Sequence, residues 1–499
     1  MYGSRDISTP FAYINMKIIL GGGLMANVLI KTDREYSVGN KTLYPYQVDA
    51  VEHILSKFNV ILNLQPGSGK TFVSLCAMYR CISCSKDLQV AILCPKQAVS
   101  SFKKELKSMN LSYNIHTAEE TINNPKARIH IFVFSKIDEL IKFCYEHEKP
   151  IALVVDECHK LTNKNKGNDK LFQLRKRFSF VVGLSGTPLQ NNPAGIFNVI
   201  NFVSPGFLGS YTEFSNRFLK LEPQYIKIYG KRQKAMKVVG LKESDVLATH
   251  LSKIVFTKVK EYTLDFQYRS CYMTDEERKE YVKHAKGIQD DSLDEKAFSA
   301  RLHDLQRVVD GSLNPKPHLS SKEKLLISTL SEVMSRGEST LVYCEYETTY
   351  TRLVDILTRF KHLINYSQIH LITGKIKFED RVKVETNMPP KSIVIMTKAG
   401  SASINLQAAN NIIFYSTPFG LSDLIQAIGR ITRVDTKYPI QHVYFLEVTD
   451  TIDTYRRTMV ESKVSYLTQL FGAMPTLPQI EEVKINLKEL KRNLLWKKY

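Results

Sequence analysis

The stretch that most constrains this chain is Leu64 to Thr71, which reads LQPGSGKT. It follows a short apolar run, Val60 to Leu64, with the character of a buried parallel strand, and it precedes a helix-forming segment from Thr71 to Tyr79. Strand, glycine-bearing turn and helix N-terminus together make a phosphate cradle, because loop N–H groups point inward and the helix dipole adds partial positive charge at the same spot. Gly67 and Gly69 let the backbone approach a triphosphate without Cβ clashes. Lys70 can reach the β- and γ-phosphates, and the Thr71 hydroxyl can hold Mg²⁺. Gln65, Pro66, Gly67, Ser68, Gly69, Lys70 and Thr71 are therefore candidate ligands for a nucleotide. The common form of this motif has a glycine where this chain has Leu64. A surface turn of the same composition is the competing reading, and the downstream residues argue against it.

A chain of 499 residues is too long for one ordinary core, and implies about three domains, or two with an insertion. The charge balance is uneven, with 69 Lys and Arg against 50 Asp and Glu, a formal net charge of +19. The basic residues are spread over many segments, which favours a polyanionic partner, nucleic acid before membrane. The longest early apolar run, Ile18 to Ile30, is interrupted by Gly21, Gly22 and Gly23 and is too short to cross a bilayer. It reads as two strands joined by a glycine turn. Cys81 and Cys84 form a lone C-x-x-C without a second pair, a structural arrangement more than a metal site. The eight cysteines fit reduced thiols in a cytosolic or nuclear compartment.

In chain order, residues 1–40 form a β-rich extension. Gln47, ahead of an amphipathic helix from Val48 to Lys57, carries a paired donor and acceptor suited to an adenine edge. Apolar runs at Gln89 to Cys94, Arg128 to Phe134, Ile151 to Val155 and Phe180 to Leu184 alternate with helical stretches, the pattern of a parallel sheet covered on both faces. Functional residues in such sheets gather at the carboxyl ends of strands. Here those ends carry Lys96, Ser135, Asp156-Glu157-Cys158-His159 and Ser185-Gly186-Thr187. Asp156 can hold Mg²⁺ through water, and Glu157 can orient and deprotonate an attacking water.

Gln47, GSGKT, DECH and the string from Ser185 to Asn191, in that order, resemble the first lobe of a superfamily-two helicase, and SGTPLQN is similar to the third motif of the Swi/Snf-like ATPases. A second α/β set starts near Lys322, with strands expected at Thr340 to Cys344, Ile369 to Ile372, Ser392 to Met396, Asn411 to Tyr415 and His442 to Leu446. It contains Gln426-Ala427-Ile428-Gly429-Arg430-Ile431-Thr432-Arg433, which matches the family's QxxGRxxR string. The stretch from Thr397 to Leu406 resembles a second family loop, with serine and alanine at small-residue positions. Arg430 and Arg433, three apart, would share one face of a helix.

The resemblance implies two RecA-like α/β lobes with parallel sheets, residues 41–205 and 321–470, a mainly helical insertion at 206–320, and a basic tail at 471–499. The alternating Tyr262 to Met273 stretch reads as a strand opening the second lobe. The resemblance also implies ATP and Mg²⁺ as cofactors and DNA, more than RNA, as partner. In it Lys70, Asp156, Glu157, Arg430 and Arg433 carry hydrolysis, and Gln47 and Gln426 contact ATP. His159, Ser185, Gly186 and Thr187 couple nucleotide state to movement, while Lys96, Ser135, Thr397 and Asn405 track a phosphate backbone. The activity implied is that of an ATP-dependent helicase or double-strand translocase. An RNA helicase and a non-catalytic scaffold of the same fold are the alternatives. The modest size hints at a virus, a phage or a bacterium.

Overall fold

The computed structural model describes residues 12–20, 24–32, 37–38, 41–117, 120–162, 166–186, 193–228, 231–258, 263–286, 295–313, 315–398, 404–432 and 436–471. The chain divides into two units, Met1–Lys258 and Val259–Tyr499.

The first unit is built on an eight-stranded sheet in the order Val255–Lys258, Val60–Leu64, Phe178–Ser185, Ile151–Asp156, Gln89–Cys94, Ile129–Val133, Asn114–His116 and Thr121–Ile122. Neighbours run parallel throughout except the last pair. Every residue of Val60–Leu64, Gln89–Cys94 and Ile129–Val133 is buried, which explains why these strands read as continuous apolar runs instead of alternating ones. Helices Pro45–Lys57, Lys70–Cys84 and Val99–Ser108 bury Val51, Ile54, Leu75, Phe102 and Leu106 in one core with Leu62, Ile92, Val154 and Val182 of the sheet. Each such side chain contributes about 1.5–3 kcal/mol over an exposed one. Ahead of the sheet lies the expected antiparallel pair, Ala12–Leu20 with Leu24–Thr32.

The second unit carries six strands, all parallel, in the order Thr263–Cys271, Ile440–Val448, Asn411–Phe414, Thr340–Tyr343, Ile393–Met396 and Ile369–Ile372. Helices Ser321–Ser335 and Glu347–Arg359 pack Leu326, Leu330, Val333, Leu353 and Ile356 against Val342, Ile395 and Ile413. The strand expected to open this lobe is Thr263–Cys271, at the edge beside Ile440–Val448.

Residues 206–320 differ from the expected helical insertion. Helices Tyr211–Phe218, Ser244–Leu251, Asp275–Lys286 and Glu295–Val309 are present. They share the stretch with an antiparallel ribbon, Leu219–Ile228 with Lys231–Leu241, and with strands that join each of the two large sheets. The sequence signal for this ribbon is local: Tyr225, Ile226, Ile228 and Tyr229 are β-branched or aromatic, and the lysines and arginine that follow obscure it. The first sheet is therefore completed from beyond residue 205, by Val255–Lys258, where Ile61 N donates to Ile254 O at 2.9 Å and Asn63 Nδ2 donates to Thr257 Oγ1 at 3.2 Å.

The second unit also encloses a buried polar knot. Lys322 Nζ lies 3.0 Å from Asp310 Oδ1 and 2.7 Å from Asp453 Oδ2, and all three side chains are at most 1% exposed. Gln306 Nε2 donates to both carboxylates at 2.8 Å, and Ser416 Oγ donates to Asp310 Oδ2 at 2.6 Å. Three segments distant in sequence are thereby tied behind one sheet.

Candidate nucleotide-binding and hydrolytic site

The phosphate loop leaves its strand at Leu64 and enters helix Lys70–Cys84 through two left-handed glycines, Gly67 (φ 79°) and Gly69 (φ 80°). A Cβ on Gly69 would stand 2.5 Å from Gln47 Nε2, so that position tolerates no side chain. Gln47 is 5% exposed and sits at the third position of helix Pro45–Lys57. Its Oε1 accepts from Tyr44 N at 3.0 Å, and its Nε2 donates to Ser68 O at 2.9 Å. The amide expected to meet adenine is thus engaged in capping its own helix and holding the loop. Tyr46, which the motif pattern does not single out, donates its hydroxyl to the same Ser68 carbonyl at 2.9 Å. Its position next to Gln47 was the available signal.

Lys70 Nζ donates to the carbonyls of Leu64 (2.6 Å) and Gln65 (3.0 Å), folded back over the loop it serves. Ser68 Oγ donates to Gln65 O at 2.6 Å, closing the turn. Gln65 is 3% exposed, and its side-chain amide has no hydrogen-bond partner among the described residues. Thr71, in the first helical turn, is half-buried.

Strand Ile151–Asp156 delivers the carboxylates two strands away from the loop. Burial raises the Asp156 carboxyl well above the usual range, the adjacent Glu157 raises it further, and the charge of Lys70 works in the opposite direction. Glu157 takes a left-handed backbone (φ 54°), a costly conformation for a side-chain-bearing residue and one that turns its carboxylate away from the strand direction. Burial alone would raise Glu157 too. The hydrogen bond from His159 and the charges of His159, Lys70 and Lys160 outweigh it, and its carboxyl sits below the ordinary value. Lys70 therefore acts electrostatically on both acids, and loop and carboxylates form one cluster. Lys160, a further cation bearing on both, was not anticipated.

A divalent cation fits this set. Asp156 is a desolvated acid whose ionised form a cation would stabilise, and Thr71 offers a hydroxyl. No group of three or more His, Cys, Asp or Glu among the described residues is arranged to hold a metal by itself. A Mg²⁺ ion here would draw its remaining ligands from water and substrate phosphate, as that ion commonly does.

His159 (2% exposed) and Ser185 (fully buried) link this cluster to the neighbouring strand, with Nδ1 to Oγ at 3.0 Å and Nδ1 to Glu157 Oε2 at 3.1 Å. A Cβ on Gly186 would meet Pro66 Cδ at 3.2 Å and Leu64 O at 3.3 Å, so glycine lets this segment lie flush against the phosphate loop. Thr187 lies outside the described residues.

In the second unit, Gln426 is half-buried on helix Leu421–Ile428. Arg430 lies beyond the helix, which ends at Ile428 with Gly429 as its cap. Poor helix propensity at Gly429 ends it, and Arg430 follows in tight turns, its N–H donating to Ala427 O at 3.1 Å. Arg430 is 7% exposed, and its Nη1 donates to Ile404 O at 3.0 Å, bracing the residues just before Leu406. Arg433 and residues 399–403 lie outside the described residues, as does the tail at 472–499.

Of the four residues expected to meet a phosphate backbone, Lys96 and Ser135 are exposed just beyond the carboxyl ends of adjacent strands in the first sheet. Thr397 is only 7% exposed. Asn405 is half-buried, and its Oδ1 accepts from Gln407 N at 3.3 Å. All eight cysteines are free thiols, and no helix among the described residues is long and apolar enough to cross a membrane.

Parallel sheets in each unit, with a phosphate loop and paired carboxylates on the first, define a two-lobed nucleoside-triphosphatase. The family models agree. Residues 40–190 match the type III restriction enzyme res-subunit family, and residues 321–435 match the helicase conserved C-terminal domain. These matches, with the curated relatives below, support a superfamily-two helicase or ATPase of the Swi/Snf-like kind. Among curated relatives, a zebrafish chromodomain-helicase-DNA-binding protein 1-like is 26% identical, with 86% of this chain and 44% of that protein aligned. The Bacillus subtilis uncharacterized ATP-dependent helicase YqhH is 23% identical over 89% of this chain and 82% of its own length. Yeast transcription regulatory protein SNF2 is 22% identical over 87% of this chain, which spans 28% of that protein. A solved Sulfolobus solfataricus SWI2/SNF2 ATPase core in complex with dsDNA aligns at 18% identity and TM-score 0.40, covering 88% of this chain and 93% of its own.

Proposed function

We propose that the protein is an ATP-driven motor that moves along or remodels duplex DNA inside the cell. The observation that carries this reading is the single electrostatic cluster of Lys70, Asp156 and Glu157 beside the phosphate loop. The loop amides and Lys70 hold the β- and γ-phosphates. Thr71 and Asp156 hold Mg²⁺, which when bound screens phosphate charge. Glu157, kept ionised by His159, orients a water in line with the γ-phosphorus and takes its proton.

Gln426, Arg430 and Arg433 are assigned by their match to the family string. One of the two arginines stabilises charge developing on the γ-phosphate. Lys96, Ser135, Thr397 and Asn405 hold phosphates of one DNA strand without reading bases.

DNA as partner is supported by the net charge of +19 and by the DNA-acting names of the curated relatives. The test is phosphate release with duplex, single-stranded and forked DNA and with RNA, beside displacement of a triplex-forming strand. The expected result is stimulation and triplex displacement on duplex DNA. Stimulation by RNA alone would overturn the assignment.

A further inference from the structure

The antiparallel ribbon Leu219–Ile228 with Lys231–Leu241 forms a sheet of its own in the first unit, with no third strand among the described residues. Its base is fixed, since Lys242 N donates to Phe218 O at 2.8 Å, at the end of helix Tyr211–Phe218. From there it runs about ten residues per strand, or roughly 34 Å, about one turn of B-DNA.

Folding energetics alone give little reason for such an element. A lone two-stranded ribbon is marginal in water. This one also holds six basic residues against one acid, a net of +5 in a chain whose total is +19. The register makes matters worse toward the tip. Glu222, the one acid, is opposite Lys237, whereas Lys227 is opposite Arg232, a like-charge pair that opposes pairing. Tyr225 is opposite Lys234, and by the two-residue period Tyr225, Lys227, Arg232 and Lys234 occupy positions on one side of the ribbon. A polyanion lying along that side would offset that repulsion.

We infer that this ribbon is a second, sequence-indifferent grip on the phosphates of duplex DNA, separate from the strand-end residues named above. The inference rests on the motor reading and adds a contact surface to it. A ribbon anchored at its base and basic to its tip can follow one duplex turn while the nucleotide site cycles.

The test uses the full chain carrying Lys227→Gln, Arg232→Gln and Lys234→Gln together, with duplex binding followed by anisotropy from 50 to 200 mM salt. Loss of three phosphate contacts should flatten the log–log salt slope by about 2–3 units. Hydrolysis without DNA should stay unchanged. A second variant removes residues 224–235 and joins Pro223 to Met236 through Asn-Gly, and should give the same flattening. An unchanged slope in both variants would overturn the ribbon assignment while DNA stimulation of the wild type keeps the motor reading. A flattened slope in a protein whose hydrolysis ignores DNA would sustain the ribbon and sink the motor.

Discussion

His159 Nδ1 stands 3.0 Å from Ser185 Oγ, joining the loop after strand Ile151–Asp156 to the end of the neighbouring strand Phe178–Ser185. The same nitrogen lies 3.1 Å from Glu157 Oε2. An ionised carboxylate can only accept, so Nδ1 carries the hydrogen and presents it to both oxygens. The water-activating acid and the segment beside the phosphate loop therefore share one donor.

Removing that donor should change the pH dependence of turnover. Without it the Glu157 carboxyl binds protons more readily, and the acid limb of the kcat profile in His159→Ala should move to higher pH. Profiles of wild type and variant from pH 5 to 9 check this. An unmoved limb would show that His159 serves packing alone.

Glu157→Gln should bind ATP and fail to hydrolyse it, because an amide cannot take the proton; the loss should be about 10²–10⁴-fold. Lys70→Ala should lose affinity as well as rate. Fluorescent-nucleotide binding beside single-turnover hydrolysis separates the two outcomes.

Arg430→Ala should lower kcat by about 10³–10⁵ if this residue meets the γ-phosphate. It should also loosen the second lobe, since the bond from Arg430 Nη1 to Ile404 O is lost, at about 1–3 kcal/mol. Arg430→Lys restores charge with poorer geometry, and recovery of melting temperature without recovery of kcat is the expected result.

The buried histidine on the interior strand Ile129–Val133 should make stability depend on pH. His130 is held down to about 3, first by burial and then by His116 and His147. Between that value and the unfolded 6.5 the unfolded chain binds the proton and the folded one does not. Stability is therefore complete above pH 6.5 and falls as pH drops toward 3. Melting curves of wild type and His130→Gln over pH 4–7 should show a shallower slope in the variant.

Lys322→Met should cost about 3–5 kcal/mol, because Asp310 and Asp453 would remain buried without their cation. Asp310→Asn combined with Lys322→Met should recover part of that loss, measurable by denaturant unfolding.

Local signals carried much of the architecture. Strand Gln89–Cys94, buried at every residue, stands where its apolar run places it, since a strand buried on both faces reads as a near-continuous apolar run. The positive φ at Gly67 and Gly69 follows from the need for a tight turn. What pattern could not carry was spatial. Val255–Lys258 is four residues, VFTK, too short to announce a sheet partner 194 residues upstream. Lys322, Asp310 and Asp453 read as surface charges until three segments meet. Gln47 reads equally well as ligand or cap, and only the position of Ser68 O shows where its amide goes. The helical reading of the arginine pair stops short of Arg430, because Gly429 caps the helix.

The strand Val255–Lys258 also sets a timetable for biosynthesis. Until it arrives, Val60–Leu64 is an open edge, offering unpaired N–H and C=O groups directly beside the phosphate loop. At ribosomal speeds of about 5–20 residues per second, the interval between the two strands lasts about 10–40 s. A nascent chain halted before residue 258 would hold a nucleotide loop on an unfinished sheet, with its most aggregation-prone border exposed. Expression boundaries drawn at the end of the motif region, near residue 205, would make that transient permanent.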